Sequence, residues 1–272
     1  MQSSENIALS TGLLGWSHQD DQIGRLELFR REWERIRQGV GGPVGIEFNL
    51  ANVGWAPELF WAISSGYLGW LREITNEGGV LSVHTPNELF DEGYGTSLQR
   101  KEMGWIARVG DKVPINHVVV HADRLGPGQH ADFSYRYGRS HQVQIVFENT
   151  DGRKGDGAVR TKAQLRELVN GGSRLLLDLG HVDHAGASIR RELPDILDEF
   201  KQAIVAYHIS GVWGEYGEHF PLTDPRSRGV LALLREHGSL MNGGVRVIES
   251  PKPRESRLSL AEFAIREVKH LR

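Results

Sequence analysis

The sequence predicts an α/β protein with the architecture of a (β/α)8 barrel, or TIM barrel. Eight short apolar segments rich in β-branched residues recur at intervals of roughly 27 to 42 residues, and helical patterns separate them. Strands that alternate with helices pair in parallel, because each connection must cross a face of the sheet. The predicted strands are Ile7–Ser10, Val44–Phe48, Val80–His84, His117–His121, Gln144–Glu148, Arg174–Asp178, Ile204–His208 and Arg246–Glu249.

An open doubly wound sheet is the alternative fold. The barrel is favoured because the strand count is eight and because no Gly-x-Gly-x-x-Gly pattern follows the first strand. The chain shows no linker and no low-complexity stretch, and barrels of this kind routinely reach about 200–250 residues as one domain. Residues 1–272 are therefore expected to form a single domain.

The helices between the strands are predicted from apolar periodicity. In Gln22–Gln38, the residues Ile23, Leu26, Trp33 and Ile36 recur at close to 3.6 residues, and Gly39 is expected to end the helix. The long segment Ala122–Ser140 has no clean period. The other predicted helices are Pro57–Asn76, Thr161–Asn170, Pro194–Gln202, Arg226–His237 and Leu258–Leu271.

Composition excludes several classes of function. The absence of cysteine from the 272 residues rules out disulfides, thiolate metal sites and cysteine nucleophiles. The net charge of -3 provides no global attraction to nucleic acid or to an anionic membrane. The first residues are polar and no apolar run approaches the ~20 residues of a membrane helix. We expect a cytoplasmic protein, and the sequence does not indicate an oligomeric state.

Polar residues that can bind metal or carry protons stand at or just past the ends of seven predicted strands. The carboxyl ends of barrel strands meet at one mouth, where the active sites of such barrels are built. Imidazoles and carboxylates without sulfur suit Zn²⁺, or Mn²⁺, Mg²⁺ and Co²⁺ where carboxylates dominate. The seven residues are Glu47, His84, His121, Glu148, Asp178, His208 and Glu249.

These residues divide into an expected metal pocket and its surroundings. Glu148, Asp178, His208 and Glu249 would form one carboxylate-rich pocket. His84 and His121 lie on the two strands before Glu148, which could therefore bridge to a second ion. The residues expected to contact substrate or a further metal are His181, His219, Glu47, Trp16 and Trp213; for Glu47, a salt bridge across the mouth is the alternative.

Six segments resemble the xylose-isomerase-like TIM barrel superfamily, which contains sugar isomerases and epimerases as well as endonuclease IV (AP endonuclease family 2). The resemblance extends from about residue 81 to residue 252. The segments are VVVHAD at 118–123, FENTDGRKGDG at 147–157, LLLDLGHVDHAG at 175–186, AYHISG at 206–211, GEHFPL at 217–222 and VIESPK at 247–252.

The resemblance implies roles for the same residues. It assigns the shared metal site to Glu148, Asp178, His208 and Glu249, and further zinc ligands of endonuclease IV to His84 and His121. His181 and His219 match two of the three ligands of the third zinc of endonuclease IV.

The sequence also departs from these relatives. Gly217 stands where the third ligand of that zinc, an aspartate, is expected, and Glu88 lies where DNA phosphates would approach. No lysine near a strand end matches the proton-shuttling lysine of xylose isomerase proper.

Three functions are consistent with this pattern. The favoured one is a metal-dependent isomerase or epimerase of a small, sugar-like polyhydroxylated carbonyl compound, in which Glu148 and Glu249 move a proton and His181 binds a hydroxyl group. The second is an endonuclease IV-like zinc hydrolase that cleaves DNA at abasic sites; Gly217, Glu88 and the acidic net charge weigh against it. The third is a metal-stabilised binding protein without turnover.

Overall fold

Eight parallel strands close into a barrel in the computed structural model, which describes residues 6–14, 22–49, 66–90, 93–126, 128–139, 141–150, 159–184, 187–213, 218–241, 243–253 and 255–271. Each barrel strand pairs with its neighbours in chain order, and the last closes onto the first. The barrel strands are β1 (Ile7–Ser10), β2 (Val44–Asn49), β3 (Leu81–His84), β4 (His117–His121), β5 (Ile145–Glu148), β6 (Arg174–Asp178), β7 (Ile204–Ile209) and β10 (Val245–Ile248), while β8 (Gly211–Trp213) and β9 (Glu218–Phe220) form a separate antiparallel hairpin.

Helices follow the strands and cover the outside of the barrel. Several begin at side-chain caps: Thr161 and Ser259 each form a capping box, and Thr96 accepts a hydrogen bond from the backbone of the first turn that follows it. The helices are α1 (Gln22–Val40), α2 (Leu68–Asn76), α3 (Ser97–Gly110), α4 (Gln129–Phe133), α5 (Lys162–Asn170), α6 (Leu179–His184), α7 (Ala187–Glu199), α8 (Arg228–His237) and α9 (Leu260–Lys269).

The interior of the barrel contains a cluster of aliphatic side chains, mostly valine and alanine. Because successive strand residues point to opposite faces, a residue two positions later on the same strand faces the interior as well. Val119, Val146 and Leu176 belong to this cluster, so the barrel interior also receives the residues two positions after them. The full interior cluster is Ala8, Val80, Val119, Val146, Leu176, Ala206, Val245 and Val247.

The closed barrel confirms the predicted fold class and excludes the open sheet. The prediction that Pro194 begins a helix is wrong, since Pro194 lies inside α7. Helix α1 passes Gly39 and ends at Val40, before Gly41, whose φ of 73° is in the left-handed region that favours glycine.

Other differences concern short elements. The hairpin β8–β9 was not predicted. The segment Ala122–Ser140 contains a short 3-10 turn at Ala122–Arg124, the helix α4 and a π-helical segment at Ser134–Arg139. The predicted helix Pro57–Asn76 is described only from residue 66 onwards. Among the described helices, none has the length and apolar character needed to cross a membrane.

Candidate metal centre

The six predicted metal ligands converge at the C-terminal end of the barrel. His84, His121, Glu148 and Asp178 are the last residues of their strands, His208 lies in β7, and Glu249 follows β10. All six are buried. Neighbouring strands place His121 beside Glu148 and Asp178 beside His208 in register. The structure therefore brings together residues that are up to 165 positions apart, from 84 to 249, in one cluster.

Glu148 is the centre of this cluster. Its Oε2 lies 2.9 Å from His84 Nε2 and 3.2 Å from His121 Nε2. Its Oε1 lies 3.3 Å from His208 Nδ1 and 3.6 Å from His181 Nδ1. Burial alone would raise the pKa of Glu148, but the charges and hydrogen bonds of His121 and His208 hold it well below the ordinary value. Glu148 is therefore an ionised carboxylate that imidazoles contact on both oxygens.

His208 connects Glu148 to two further carboxylates. Its Nδ1 lies 3.3 Å from Glu249 Oε2, and its Nε2 lies 3.0 Å from Glu47 Oε1. Burial disfavours the charged ring, but Glu47, Glu249 and Glu148 raise the pKa of His208 well above the ordinary value. Glu47 itself is fully buried two residues before the end of β2, and its Oε2 accepts a hydrogen bond from Ser82 Oγ at 3.1 Å.

Asp178 and Glu249 are carboxyls whose surroundings oppose ionisation. Burial, together with the charge of Glu148, raises the pKa of Asp178 to about 6. Burial raises the pKa of Glu249 to about 7, although the charge of His208 acts in the other direction. Asp178 Oδ1 accepts the backbone N–H of His181 at 2.8 Å, while Asp178 Oδ2 is buried without a hydrogen-bond partner among the described residues. An orphaned carboxylate oxygen in this position is suited to a cation.

Backbone carbonyls orient two of the histidines. His84 Nδ1 lies 3.0 Å from the carbonyl oxygen of Thr85, and His181 Nδ1 lies 2.9 Å from that of Asn149. Because a carbonyl oxygen only accepts hydrogen bonds, each Nδ1 carries a proton. Nε2 is then the nitrogen of each ring that can bind a metal. For His84, this Nε2 is the nitrogen that faces Glu148.

The remaining candidates lie beside this cluster. His219, on β9, is 2.7 Å from Ser210 Oγ through Nδ1, and its ring centroid is 6.1 Å from that of His181. Burial lowers the pKa of His219 to about 4, so its imidazole is neutral near pH 7. The backbone of Trp213 ends β8, and that of Glu88 lies in a 3-10 turn at Asn87–Phe90. Trp16 and Gly217 lie outside the described residues.

The ligand atoms form four overlapping groups in which all potential donor atoms lie within 4.8 Å of one another. Nitrogen and oxygen donors without sulfur fit Zn²⁺, Mn²⁺ or Co²⁺, and the orphaned Asp178 Oδ2 supports the same fit. Five residues belong to two groups each, namely His84, Glu148, Asp178, His208 and Glu249. The groups are His84–His121–Glu148, Glu148–Asp178–His208, His84–His208–Glu249 and Asp178–His219–Glu249.

Sequence reasoning missed the residues that hold these candidate ligands. Asn49 donates a hydrogen bond of 2.5 Å to Glu249 Oε1, and Asn149 Oδ1 accepts the backbone N–H of Asp178 at 2.7 Å. A signal was present: Asn49 lies two positions after Glu47 on the same face of β2, and Asn149 directly follows Glu148.

Solved structures of several known proteins are similar in fold to nearly the whole chain. Endonuclease IV from Thermus thermophilus superposes with a TM-score of 0.63 at 17% identity, covering 98% of each chain. A xylose isomerase domain-containing protein from Salmonella typhimurium LT2 gives a TM-score of 0.61 at 15% identity over 99% of this chain and 98% of that one. The 3-keto-D-glucoside 4-epimerase of E. coli gives 0.57 at 15% identity over 97% of this chain and 99% of that one.

The chain has the xylose-isomerase-like TIM barrel fold. No model of a known protein family matches the sequence, and no curated protein sequence matches it significantly. The resemblance seen in the six sequence segments is thus confirmed at the level of the fold. The candidate metal centre occupies the C-terminal mouth of this barrel, where (β/α)8 barrels build their active sites.

Proposed function

We propose that the chain is a divalent-metal-dependent isomerase or epimerase of a small polyhydroxylated carbonyl compound. The observation that carries this proposal is the position of two carboxylates around one histidine nitrogen. His208 Nδ1 lies 3.3 Å from an oxygen of Glu148 and 3.3 Å from an oxygen of Glu249. Two carboxylates from β5 and β10 thus face a shared point, where a cation and a reacting carbon can be brought together.

The cation would be held by Glu148, Asp178, His208 and Glu249. When bound, a divalent ion polarises carbonyl and hydroxyl oxygens and so lowers the pKa of the C–H group between them. Glu148, 1% exposed and contacted by imidazoles on both oxygens, stays ionised and is suited to binding the ion.

Glu249 is suited to moving the proton. Its side chain is 8% exposed, and Asn49 donates a hydrogen bond to Oε1. Burial raises the pKa of Glu249, whereas His121 and His208 lower that of Glu148, so Glu249 is the more basic of the two glutamates. Both glutamates were expected from the sequence to share proton transfer; their surroundings favour Glu249 as the residue that takes up the proton and Glu148 as the residue that stays charged.

Two imidazoles beside the candidate ligands support the proposed substrate class. His181 and His219 have ring centroids 6.1 Å apart, and their imidazoles can hydrogen-bond hydroxyl groups of a bound polyol. The similarity in fold to the 3-keto-D-glucoside 4-epimerase of E. coli supports a sugar-like carbonyl compound.

Hydrogen exchange into solvent tests this function. The metal-loaded protein is incubated in D2O with a panel of aldoses, ketoses and keto-glycosides, and proton NMR follows loss of the C–H signal next to the carbonyl. We expect exchange with at least one member of the panel, and a loss of about 10²–10⁴-fold in Glu249→Gln, the range that a general base contributes. Glu102→Gln, a buried carboxylate on α3, is the matched control. Wild-type exchange in Glu249→Gln would contradict the assignment.

A phosphodiester hydrolase similar to endonuclease IV is the second candidate. The observation that favours it is the group His84–His121–Glu148, which shares only Glu148 with the group Glu148–Asp178–His208. Two ions bridged by one carboxylate can activate a nucleophile and stabilise a leaving oxygen. Elemental analysis with two or more tightly held zinc ions per chain, and nicking of an abasic DNA duplex, would favour the hydrolase. Ligand binding without either reaction would favour the metal-stabilised binding protein.

A further inference from the structure

A buried carboxylate lies next to the candidate metal centre without being part of any of its ligand groups. Glu47 is fully buried inside the barrel, and its Oε2 accepts a hydrogen bond from Ser82 Oγ at 3.1 Å. The side chain of Glu47 is therefore out of contact with solvent in this structure.

The other oxygen of Glu47 faces the back of His208. Glu47 Oε1 and His208 Nε2 are 3.0 Å apart, a distance typical of an ion pair, although the ring N–H does not point straight at the oxygen. Within the described part of the chain, neither atom has a hydrogen-bond partner. Both atoms are therefore buried without a hydrogen bond, and their 3.0 Å contact pairs the carboxylate with the back of the ring.

We propose that Glu47 is a positioning residue that keeps the proton of His208 on Nε2, so that the lone pair of Nδ1 faces the cation. A neutral imidazole carries one proton, and only its unprotonated nitrogen can bind a metal. A carboxylate next to Nε2 stabilises the proton there. In this structure His208 Nδ1 lies 3.3 Å from oxygens of Glu148 and Glu249, where a bound cation would take the place of the proton that Nδ1 donates to Glu148. This inference rests on the metal site of the proposed function.

His208 is oriented differently from two of its neighbours. Backbone carbonyls hold the Nδ1 protons of His84 and His181, which therefore present Nε2. His208 presents Nδ1, and a side-chain carboxylate on β2 takes the place of the carbonyl. A charged acceptor also makes the imidazole more basic and so a stronger ligand. The loss of Glu47 should consequently change His208 while the orientation of His84 and His181 is preserved.

Zinc titration of the full chain tests the role of Glu47. Isothermal titration with Zn²⁺ compares the wild type with Glu47→Met, which removes the acceptor, and with Glu47→Gln, whose amide oxygen can still accept from Nε2. We expect about 10–100-fold weaker binding in Glu47→Met, the range seen when an outer carboxylate partner is lost. Glu47→Gln should lose less of its zinc affinity than Glu47→Met, and Glu102→Gln should bind zinc as tightly as the wild type does. Ser82→Ala removes the hydrogen bond to Glu47 Oε2 without removing charge and should weaken zinc binding less than Glu47→Met does. This variant replaces Glu47→Met in the titration if Glu47→Met fails to fold.

The His208 ring provides a readout that a general loss of packing would not change. In the zinc-loaded, ¹⁵N-labelled protein, we expect the Nε2 proton of His208 to be protected from exchange and shifted downfield, and to lose both properties in Glu47→Met. Unchanged zinc affinity in Glu47→Met would overturn the inference, as would an unchanged Nε2 proton signal. If the wild type binds no zinc, the proposed metal site itself is wrong. If the wild type binds zinc and the Glu47 variants bind it equally well, the metal site stands and the proposed role of Glu47 is wrong.

Discussion

Replacing Glu148 with glutamine removes the charge from a carboxylate that four histidines contact at 2.9 to 3.6 Å. The substitution preserves volume, but it takes one ligand from each of two groups, His84–His121–Glu148 and Glu148–Asp178–His208. Removing an outer partner of a metal ligand already weakens binding about 10–100-fold. We therefore expect loss of Glu148 itself to weaken cation binding by at least about 100-fold, which corresponds to about 2.8 kcal/mol.

The loss of cation affinity can be measured as a smaller metal-dependent increase in thermal stability. A cation at about 100 times the wild-type dissociation constant stabilises the fold by about 2.7 kcal/mol, whereas a variant that binds about 100-fold more weakly gains only about 0.4 kcal/mol at the same concentration. In a chain of this size, about 1 kcal/mol corresponds to about 2–4 °C in Tm. The metal-dependent rise in Tm should fall from about 5–11 °C in the wild type to about 1–2 °C in Glu148→Gln.

Thermal denaturation followed by circular dichroism, with and without zinc, is the assay. Glu102→Gln is the control, because it neutralises a buried carboxylate on the outer helix α3 and should keep the full metal-dependent rise. A full rise in Glu148→Gln would refute the placement of a cation at this carboxylate.

Two further predictions concern protons and packing. Burial raises the pKa of Asp178 to about 6 and that of Glu249 to about 7, so a cation must displace protons from these carboxyls. The affinity for the cation should therefore fall as the pH drops from 8 to 5. Calorimetry at pH 6 in two buffers of different ionisation enthalpy should show proton release, and heats that do not depend on the buffer would contradict this. A Cβ at Gly45 would clash with the carbonyl oxygen of Val80, so Gly45→Ala should cost about 1–3 kcal/mol in urea denaturation. Gly42→Ala has open space around the new carbon and should be close to neutral; equal losses in both variants would count against the close contact of β2 with residue 80.

The alternation of side chains explains why much of the fold and site could be predicted. An apolar interior residue followed two positions later by a polar one, as in Val119 and His121 or Val146 and Glu148, predicts both a strand and a polar group at its carboxyl end. Parallel pairing then brings such ends to one mouth, whatever the distance along the chain. The boundaries of three barrel strands, including His117–His121, match the prediction, and the others differ by one or two residues.

Other features depend on tertiary contacts that leave little pattern in the sequence. The three-residue strands of the hairpin β8–β9 are too short to show alternation, so the element that carries His219 was not predicted. The contacts of Glu47 are with His208 and Ser82 on other strands, so its position against His208 leaves no pattern in the sequence around it. Pro194 was expected to start a helix because proline favours the first turn, whereas α7 begins seven residues earlier.

The central claim is that one cation is shared by side chains from separate strands at the barrel mouth. Anomalous diffraction at the zinc absorption edge from zinc-loaded crystals tests it most directly. We predict a peak within about 2.0–2.2 Å of Glu148 and Asp178 oxygens and of His208 Nδ1. Well-ordered density for these three side chains with no peak between them, in crystals that contain zinc, would contradict it.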